Sequence, residues 1–209
     1  MAGTLTLYTN PMSRGRIARW MMEESAQPYE VVNVPFGPAM KAENYRAVNP
    51  MGKVPALRHG DRVITECAAI CAYMADTFPS SGLAPRDTER ADYYRWMFFA
   101  AGPLEQAVTN RAMGFEVPDE RRGMSGYGSY AAVMDTLEQA VSAHPFIAGE
   151  RFTAADVYVG SAVAWGLLFG SIEKRPAFEA YAARISARPA YQRTHALCED
   201  EGAAMKAGG

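Results

Sequence analysis

The chain has 209 residues, 49 % hydrophobic and 21 % charged, with 21 basic and 23 acidic side chains and a net charge of −2. Near-neutrality excludes the basic surface that nucleic acid or an anionic membrane selects, and the apolar content suits a packed core in one large domain or two small ones. Three cysteines (Cys67, Cys71, Cys198) and three scattered histidines (His59, His144, His195) form neither a disulfide framework nor a metal-ligand spacing, so a cytoplasmic protein without structural metal is expected.

The start, Met1-Ala2-Gly3-Thr4, carries no signal-peptide pattern, and Thr4 to Tyr8 alternates as a strand. Asn10-Pro11 breaks it. Ser13 is placed to cap a helix with Ile17, Trp20 and Met21 on one face. Pro28 ends that helix, and Tyr29 to Val34 reads as a second strand. Strand, helix and strand within about thirty residues make a βαβ unit with parallel strands.

A Pro/Gly loop (Pro35, Gly37, Pro38) and a short polar helix from Met40 to Arg46 follow. Asn49-Pro50-Met51-Gly52 is a turn. Val54 to His59 predicts a strand, Gly60-Asp61 its hairpin turn and Arg62 to Thr65 its partner. Pro55 inside the first of these demands an edge or an unusual backbone. The helix from Glu66 puts Ile70, Tyr73, Met74 and Phe78 on one face.

Pro79 to Pro85 is the best linker, and everything beyond it is helical. Thr88 to Met113 predicts a long helix kinked at Gly102-Pro103. Tyr130, Val133, Met134, Leu137 and Val141 repeat at helical spacing. Thr153-Ala154-Ala155-Asp156 is a capping box opening an apolar helix, too short and too interrupted by Gly160, Ser161 and Gly166 to span a membrane. Arg175-Pro176 and Arg188-Pro189 punctuate two more helices, and the tail Ala203 to Gly209 is expected to fray. The pattern is a two-domain α+β arrangement: a mixed domain over 1–79, a linker over 80–87 and an all-helical domain over 88–209.

Several segments together resemble cytosolic glutathione transferases. Asn49-Pro50-Met51-Gly52-Lys53-Val54-Pro55-Ala56-Leu57 is similar to that family's N-P-x-G-x-V-P-x-L stretch. Thr65-Glu66-Cys67-Ala68-Ala69-Ile70 is similar to its E-S-x-A-I segment, with cysteine where serine is usual, and Phe146 to Gly149 with Thr153 to Asp156 matches its helix-capping segment. The resemblance implies a thioredoxin-like N-terminal domain, an all-α C-terminal bundle, a homodimer, and a site in the cleft between domains for glutathione and a hydrophobic electrophile, used in detoxification.

It also implies roles. A cis bond at Val54-Pro55 exposes the Val54 backbone to glutathione, flanked by Lys53. Glu66 takes the γ-glutamyl ammonium, and helix amides at Cys67 take its carboxylate. Ser13 or, as the alternative, Tyr8 supplies the hydroxyl that activates the thiol, with Arg14 beside it. Aromatic and Met side chains past the linker, Tyr93, Trp96, Met97 and Phe98, with Asn110, Arg111, Met113 and Trp165, are the candidates for the electrophile pocket. Conjugation is the leading reading. A glutathione-dependent peroxidase, isomerase or dehalogenase, or a non-catalytic binding protein, are its alternatives.

Overall fold

The computed structural model describes residues 3–207, so Met1-Ala2 and Gly208-Gly209, parts of the start and tail read above, lie outside the described residues. The chain forms two compact units, Met1–Leu83 with Ala187–Gly209 and Ala84–Ser186. In the first, β1 (Leu5–Thr9), α1 (Gly15–Ser25) and β2 (Tyr29–Asn33) make the expected βαβ unit. Two short helices, α2 (Pro38–Lys41) and α3 (Glu43–Arg46), lead to the hairpin β3 (Ala56–His59) and β4 (Arg62–Thr65), then α4 (Cys67–Thr77).

The sheet order is β2-β1-β3-β4, with β1 parallel to β2 and antiparallel to β3. Alternation along β1 buries Leu5, Leu7 and Thr9. Tyr8 points to the opposite face, where it packs on a cluster of Val34, Met40, Tyr45, Val48 and Ala56. On α1 the apolar stripe buries Ile17, Ala18, Trp20, Met21 and Met22, and α1 packs against α4. The strand expected from Val54 begins only at Ala56, since Pro55 has no amide hydrogen to give the ladder; the Val54–Pro55 bond is cis.

The second unit is helical: α5 (Arg90–Phe99), α6 (Glu105–Ala112), α7 (Tyr130–Ala143), α8 (Ala154–Phe169) and α9 (Pro176–Ser186). The single helix expected from Thr88 to Met113 is instead two helices joined by a π turn over Ala100–Leu104. Pro103 lacks an amide hydrogen, and the wider turn absorbs the loss. Helix α8 lies close to α9 at Gly160, where a methyl group would come within 2.4 Å of Ile185 Cδ1.

The capping box forms as expected, and it is fully buried. Thr153 N donates to Asp156 Oδ2 at 2.9 Å, and Ala155 N donates to Thr153 Oγ1 at 3.3 Å. Asp156 Oδ1 accepts from Ile147 N at 2.7 Å and from the Tyr181 hydroxyl at 2.9 Å. One carboxylate thus ties the start of α8 to the preceding loop and to α9.

The last helix, α10 (Pro189–Ala207), belongs to the first unit and packs on α1. Helical spacing alone grouped residues 187–209 with the helical half; the ion pairs and the Trp20–Tyr191 ring contact to α1 draw them to the first unit instead. The tail is helical through Ala207, not frayed from Ala203.

Candidate active site

The β1–α1 connection is a tight turn built on Asn10. Its buried side chain donates from Nδ2 to Val34 O at 3.0 Å and accepts from Met12 N at 2.9 Å. Its carbonyl accepts twice from Ser13, from the amide at 3.0 Å and from the hydroxyl at 2.8 Å. Ser13 Oγ in turn accepts from Gly15 N at 2.9 Å. The N-cap of α1 is Arg14, one residue later than expected and without a side-chain cap bond. Ser13 therefore stands just outside the helix, half-buried, with its hydroxyl held from two sides.

Gly15 is what permits this. A methyl group there would lie 2.1 Å from Thr9 Oγ1 and 3.0 Å from Ser13 Oγ. Real Cβ atoms do not approach so closely, so any larger residue must displace the strand end or the Ser13 hydroxyl.

The second wall is the loop before β3. Tyr45 OH and Asn49 Nδ2 both donate to Lys53 O at 2.7 Å. Burial pushes the Tyr45 phenol up to about 12, so it remains a donor across the ordinary pH range. Lys41 Nζ donates to Met51 O at 3.1 Å and Gly52 O at 3.0 Å. At Gly52, φ is +57° and a methyl group would meet Met40 O at 2.4 Å, so the motif glycine is required both by conformation and by space. These bonds fix the Lys53-Val54-Pro55 segment, whose Val54 lies outside the β1–β3 ladder.

The third wall is the start of α4. Glu66 occupies the N-cap with φ +68° and ψ 123°, and the helix expected from Glu66 starts one residue later, at Cys67. A non-glycine residue held there costs of order 1–3 kcal/mol and marks a position over-determined by its surroundings. Its side chain is exposed. Next to it, Cys67 Sγ donates to Arg14 O at 3.5 Å. That contact brings the Ser13-Arg14 turn against the Glu66-Cys67 corner.

Tyr8, the alternative activator, packs together with Val54 against the cluster around Tyr45. Its ring centroid is 6.0 Å from that of Tyr45, and the Arg58 guanidinium lies 5.7 Å over it, on the sheet face carrying α2 and α3.

In the helical unit the pocket candidates spread apart. Tyr93 and Met97 are core residues, Trp96 lines a cavity of about 270 Å³, and Met113 and Phe98 are 69 % and 73 % exposed. Asn110 Nδ2 donates to Tyr127 OH at 3.1 Å, and Arg111 stacks 4.1 Å over the Tyr130 ring at a second cavity of about 750 Å³. Trp165 packs edge-on to Phe169 in α8. Asn10, Gly15, Lys41 and Tyr45 had no assigned role in the sequence reading. Only Gly15, between two arginines at the foot of a helix, carried a readable signal.

A β2-β1-β3-β4 sheet with a cis-proline loop, joined to a bundle of helices, defines a thioredoxin-like domain with an all-helical companion. Residues 7–82 match the glutathione S-transferase N-terminal domain and 126–189 the glutathione S-transferase C-terminal domain. Glutathione S-transferase 3 of maize (Zea mays) is 30 % identical over 208 residues, covering 91 % of this chain and 92 % of that one. Among solved structures, a glutathione transferase from Methylococcus capsulatus superposes with a TM-score of 0.77 at 28 % identity, over 95 % of this chain and 99 % of the other. The theta class glutathione S-transferase of Xanthomonas axonopodis pv. citri, solved with glutathione bound, gives a TM-score of 0.72 at 28 % identity over 92 % and 97 %. The chain belongs to the glutathione S-transferase family.

Proposed function

We propose that this enzyme binds glutathione on its first unit and uses Ser13 to hold the thiol as thiolate for attack on a hydrophobic electrophile. The observation that carries the reading is the Cys67–Arg14 contact, which joins the Ser13 turn to the α4 N-terminus in the unit that also carries the Lys53-Val54-Pro55 loop.

Glutathione is an extended tripeptide with a thiol in the middle and charges at both ends. Its γ-glutamyl carboxylate suits the amides and positive dipole end of α4, beside Cys67, and its ammonium suits the exposed Glu66 carboxylate. Its cysteinyl backbone pairs with Val54 next to Pro55. The glycine carboxylate faces the positive side of the loop at Lys53 and Lys41. Arg14, exposed beside Ser13, adds positive potential near the thiol.

The thiol resembles cysteine, with a pKa of about 8.5, so only a few per cent is ionised at pH 7. Lowering it by about two units requires roughly 2.7 kcal/mol. One charge-assisted hydrogen bond and a helix N-terminus are of that size. A hydroxyl has a single proton to give. Ser13 gives it to Asn10 O at 2.8 Å. On binding, the O–H rotates to the sulfur, while Asn10 O keeps the Ser13 amide and Gly15 N–H still steadies Oγ. The thiolate then attacks the electrophile, the C–S bond forms, and the leaving group departs with its electron pair.

We assign the second substrate to the helical unit, with Trp96, Met97, Asn110, Arg111 and Met113 as its candidate contacts. We also take the enzyme to be a cytoplasmic homodimer; Cys67, Cys71 and Cys198, none of them bridged in a disulfide, support a reducing setting. No helix among the described residues is long and apolar enough to cross a membrane.

Retention on immobilised glutathione, followed by a panel of aryl halides, epoxides and hydroperoxides, tests the reading. Ser13→Ala should remove most conjugation and Tyr8→Phe should be mild. The reverse ranking transfers the role to Tyr8, and no retention with no thermal shift on adding glutathione defeats the assignment altogether.

A further inference from the structure

Helix α10 meets α1 through four ion pairs in antiparallel register. Glu24 pairs with Arg188 at 2.7 Å, Glu23 with Arg193 at 3.3 Å, Arg19 with Glu201 at 3.0 Å and Arg16 with Glu199 at 2.9 Å. Trp20 meets Tyr191 edge-on between them, with centroids 4.9 Å apart, and its Nε1 donates to Glu24.

The charge pattern on α1 is the reverse of what its own dipole favours. Its first turn holds no acid and its last turn no base, while Arg16 lies near the start and Glu23 and Glu24 near the end. Pairing with α10 in the observed direction and register offsets this. Arg19 and Glu24 are nearly buried in these pairs and need their partners, while Arg16–Glu199 is more exposed, so the joint effect of the four is to fix where α10 lies.

That placement leads to the Ser13 turn. Arg16, one residue into α1, is held by Glu199. Gly202 is buried, and a methyl group added to it would lie 4.0 Å from Pro11 Cγ. Pro11 follows Asn10, whose carbonyl holds the Ser13 hydroxyl. The stretch of α10 from Glu199 to Gly202 thus lies against the turn from Pro11 to Arg16. Arg19, buried with Nε and Nη1 lacking a partner, is tied to the same stretch by Glu201.

We propose that α10 is a strap that holds the Pro11–Gly15 turn, making Glu199 and Gly202 positioning residues for thiol activation by Ser13. Neither touches the thiol; both act through the turn. The proposal rests on the Ser13 reading above, because the quantity it controls is the thiol's ionisation. A misplacement of the hydroxyl by about 1 Å is enough to cost up to a hundredfold in rate.

The test titrates the ultraviolet absorption of the bound glutathione thiolate and measures kcat and KM in the same proteins. Gly202→Phe drives a ring against Pro11, whereas Gly202→Ala places only an ordinary contact there. Gly202→Phe should raise the apparent pKa of the bound thiol toward that of free glutathione. It should also lower kcat by about tenfold or more while KM for glutathione moves less than about threefold. Gly202→Ala should retain the low thiol pKa.

Should Gly202→Phe fail to fold, the exposed pair decides the matter. Glu199→Arg should raise the thiol pKa by repelling Arg16, and adding Arg16→Glu should restore it. Folded Gly202→Phe or Glu199→Arg protein with a wild-type thiol titration overturns the strap, provided Ser13→Ala shifts that titration. A thiol unmoved by Ser13→Ala itself overturns the activation reading, and the strap with it.

Discussion

The Cys67 thiol donates to the Arg14 carbonyl across 3.5 Å, joining the first turn of α4 to the residue after Ser13. A thiol is a weak donor, and a hydroxyl in its place is a stronger one. Cys67→Ser should therefore keep or improve glutathione affinity, with Kd by calorimetry changing less than about threefold in the unfavourable direction. Cys67→Val removes the donor and leaves the carbonyl to solvent, so it should weaken binding more than serine does. A large loss in Cys67→Ser would give the thiol itself a part in binding.

Gly15→Ala should be among the most damaging small substitutions in the first unit. Its methyl group would sit 2.1 Å from Thr9 Oγ1, a buried atom, and 3.0 Å from Ser13 Oγ. Overpacking of this kind costs about 1–3 kcal/mol, visible as a drop in Tm, and here it also moves the activating hydroxyl. Thr9→Ala combined with Gly15→Ala removes the worse of the two clashes, so the double variant should recover stability ahead of activity. Equal recovery of both would show that Ser13 had not been displaced.

The elements that could be read from residues alone were those with a local cause. Alternation placed β1, the break at Pro28 placed β2 and the Gly60-Asp61 turn placed β4, each within a residue or so, and the capping box at Thr153 was found because its two partners lie three apart. Pro55 inside a strand pattern signalled an edge or an unusual backbone, but the binding roles of Val54-Pro55 and Glu66 were legible only through the family resemblance, and nothing local marks a residue at φ +68°. The position of α10 was not legible at all: its helical spacing is ordinary, and its partners Arg16, Arg19, Glu23 and Glu24 are about 164 to 183 residues away along the chain. The same is true of Tyr45 and Asn49, whose common acceptor, Lys53 O, is a backbone atom with no side-chain signature.

Glu66 couples strain to binding. Replacing it by glycine removes the conformational penalty at φ +68° but adds disorder to the unfolded chain, so the net change in Tm should be small. The carboxylate for the glutathione ammonium is lost at the same time. Glu66→Gly should thus keep its stability and raise KM for glutathione by about tenfold or more, the size of one charge-assisted hydrogen bond. Glu66→Gln, which keeps the backbone restraint and loses the charge, should melt close to both the wild type and Glu66→Gly while raising KM as much. A Glu66→Gly protein that melts well above Glu66→Gln would mean that the strain at φ +68° outweighs the added freedom of the unfolded chain.

Asp156 gives the second unit a distinctive response to acid. Burial pushes its carboxyl up to about 6 despite four hydrogen bonds from Ile147, Thr153 and Tyr181 that pull the other way. In the unfolded chain the group titrates near its ordinary value of about 3.9. Since the folded value is the higher one, the folded state holds the extra proton between roughly pH 4 and 6. The contribution is fully present below pH 4 and is lost as pH rises through 6, by up to about 3 kcal/mol. Asp156→Asn cannot titrate, so the wild type's advantage over it in denaturant unfolding should narrow from pH 4 to pH 6 and be level above 7. Other carboxylates titrate equally in both proteins and cancel in the difference. An advantage that widens with pH would mean that the four donors outweigh burial, and that the ionised form is the one the capping box is built to hold.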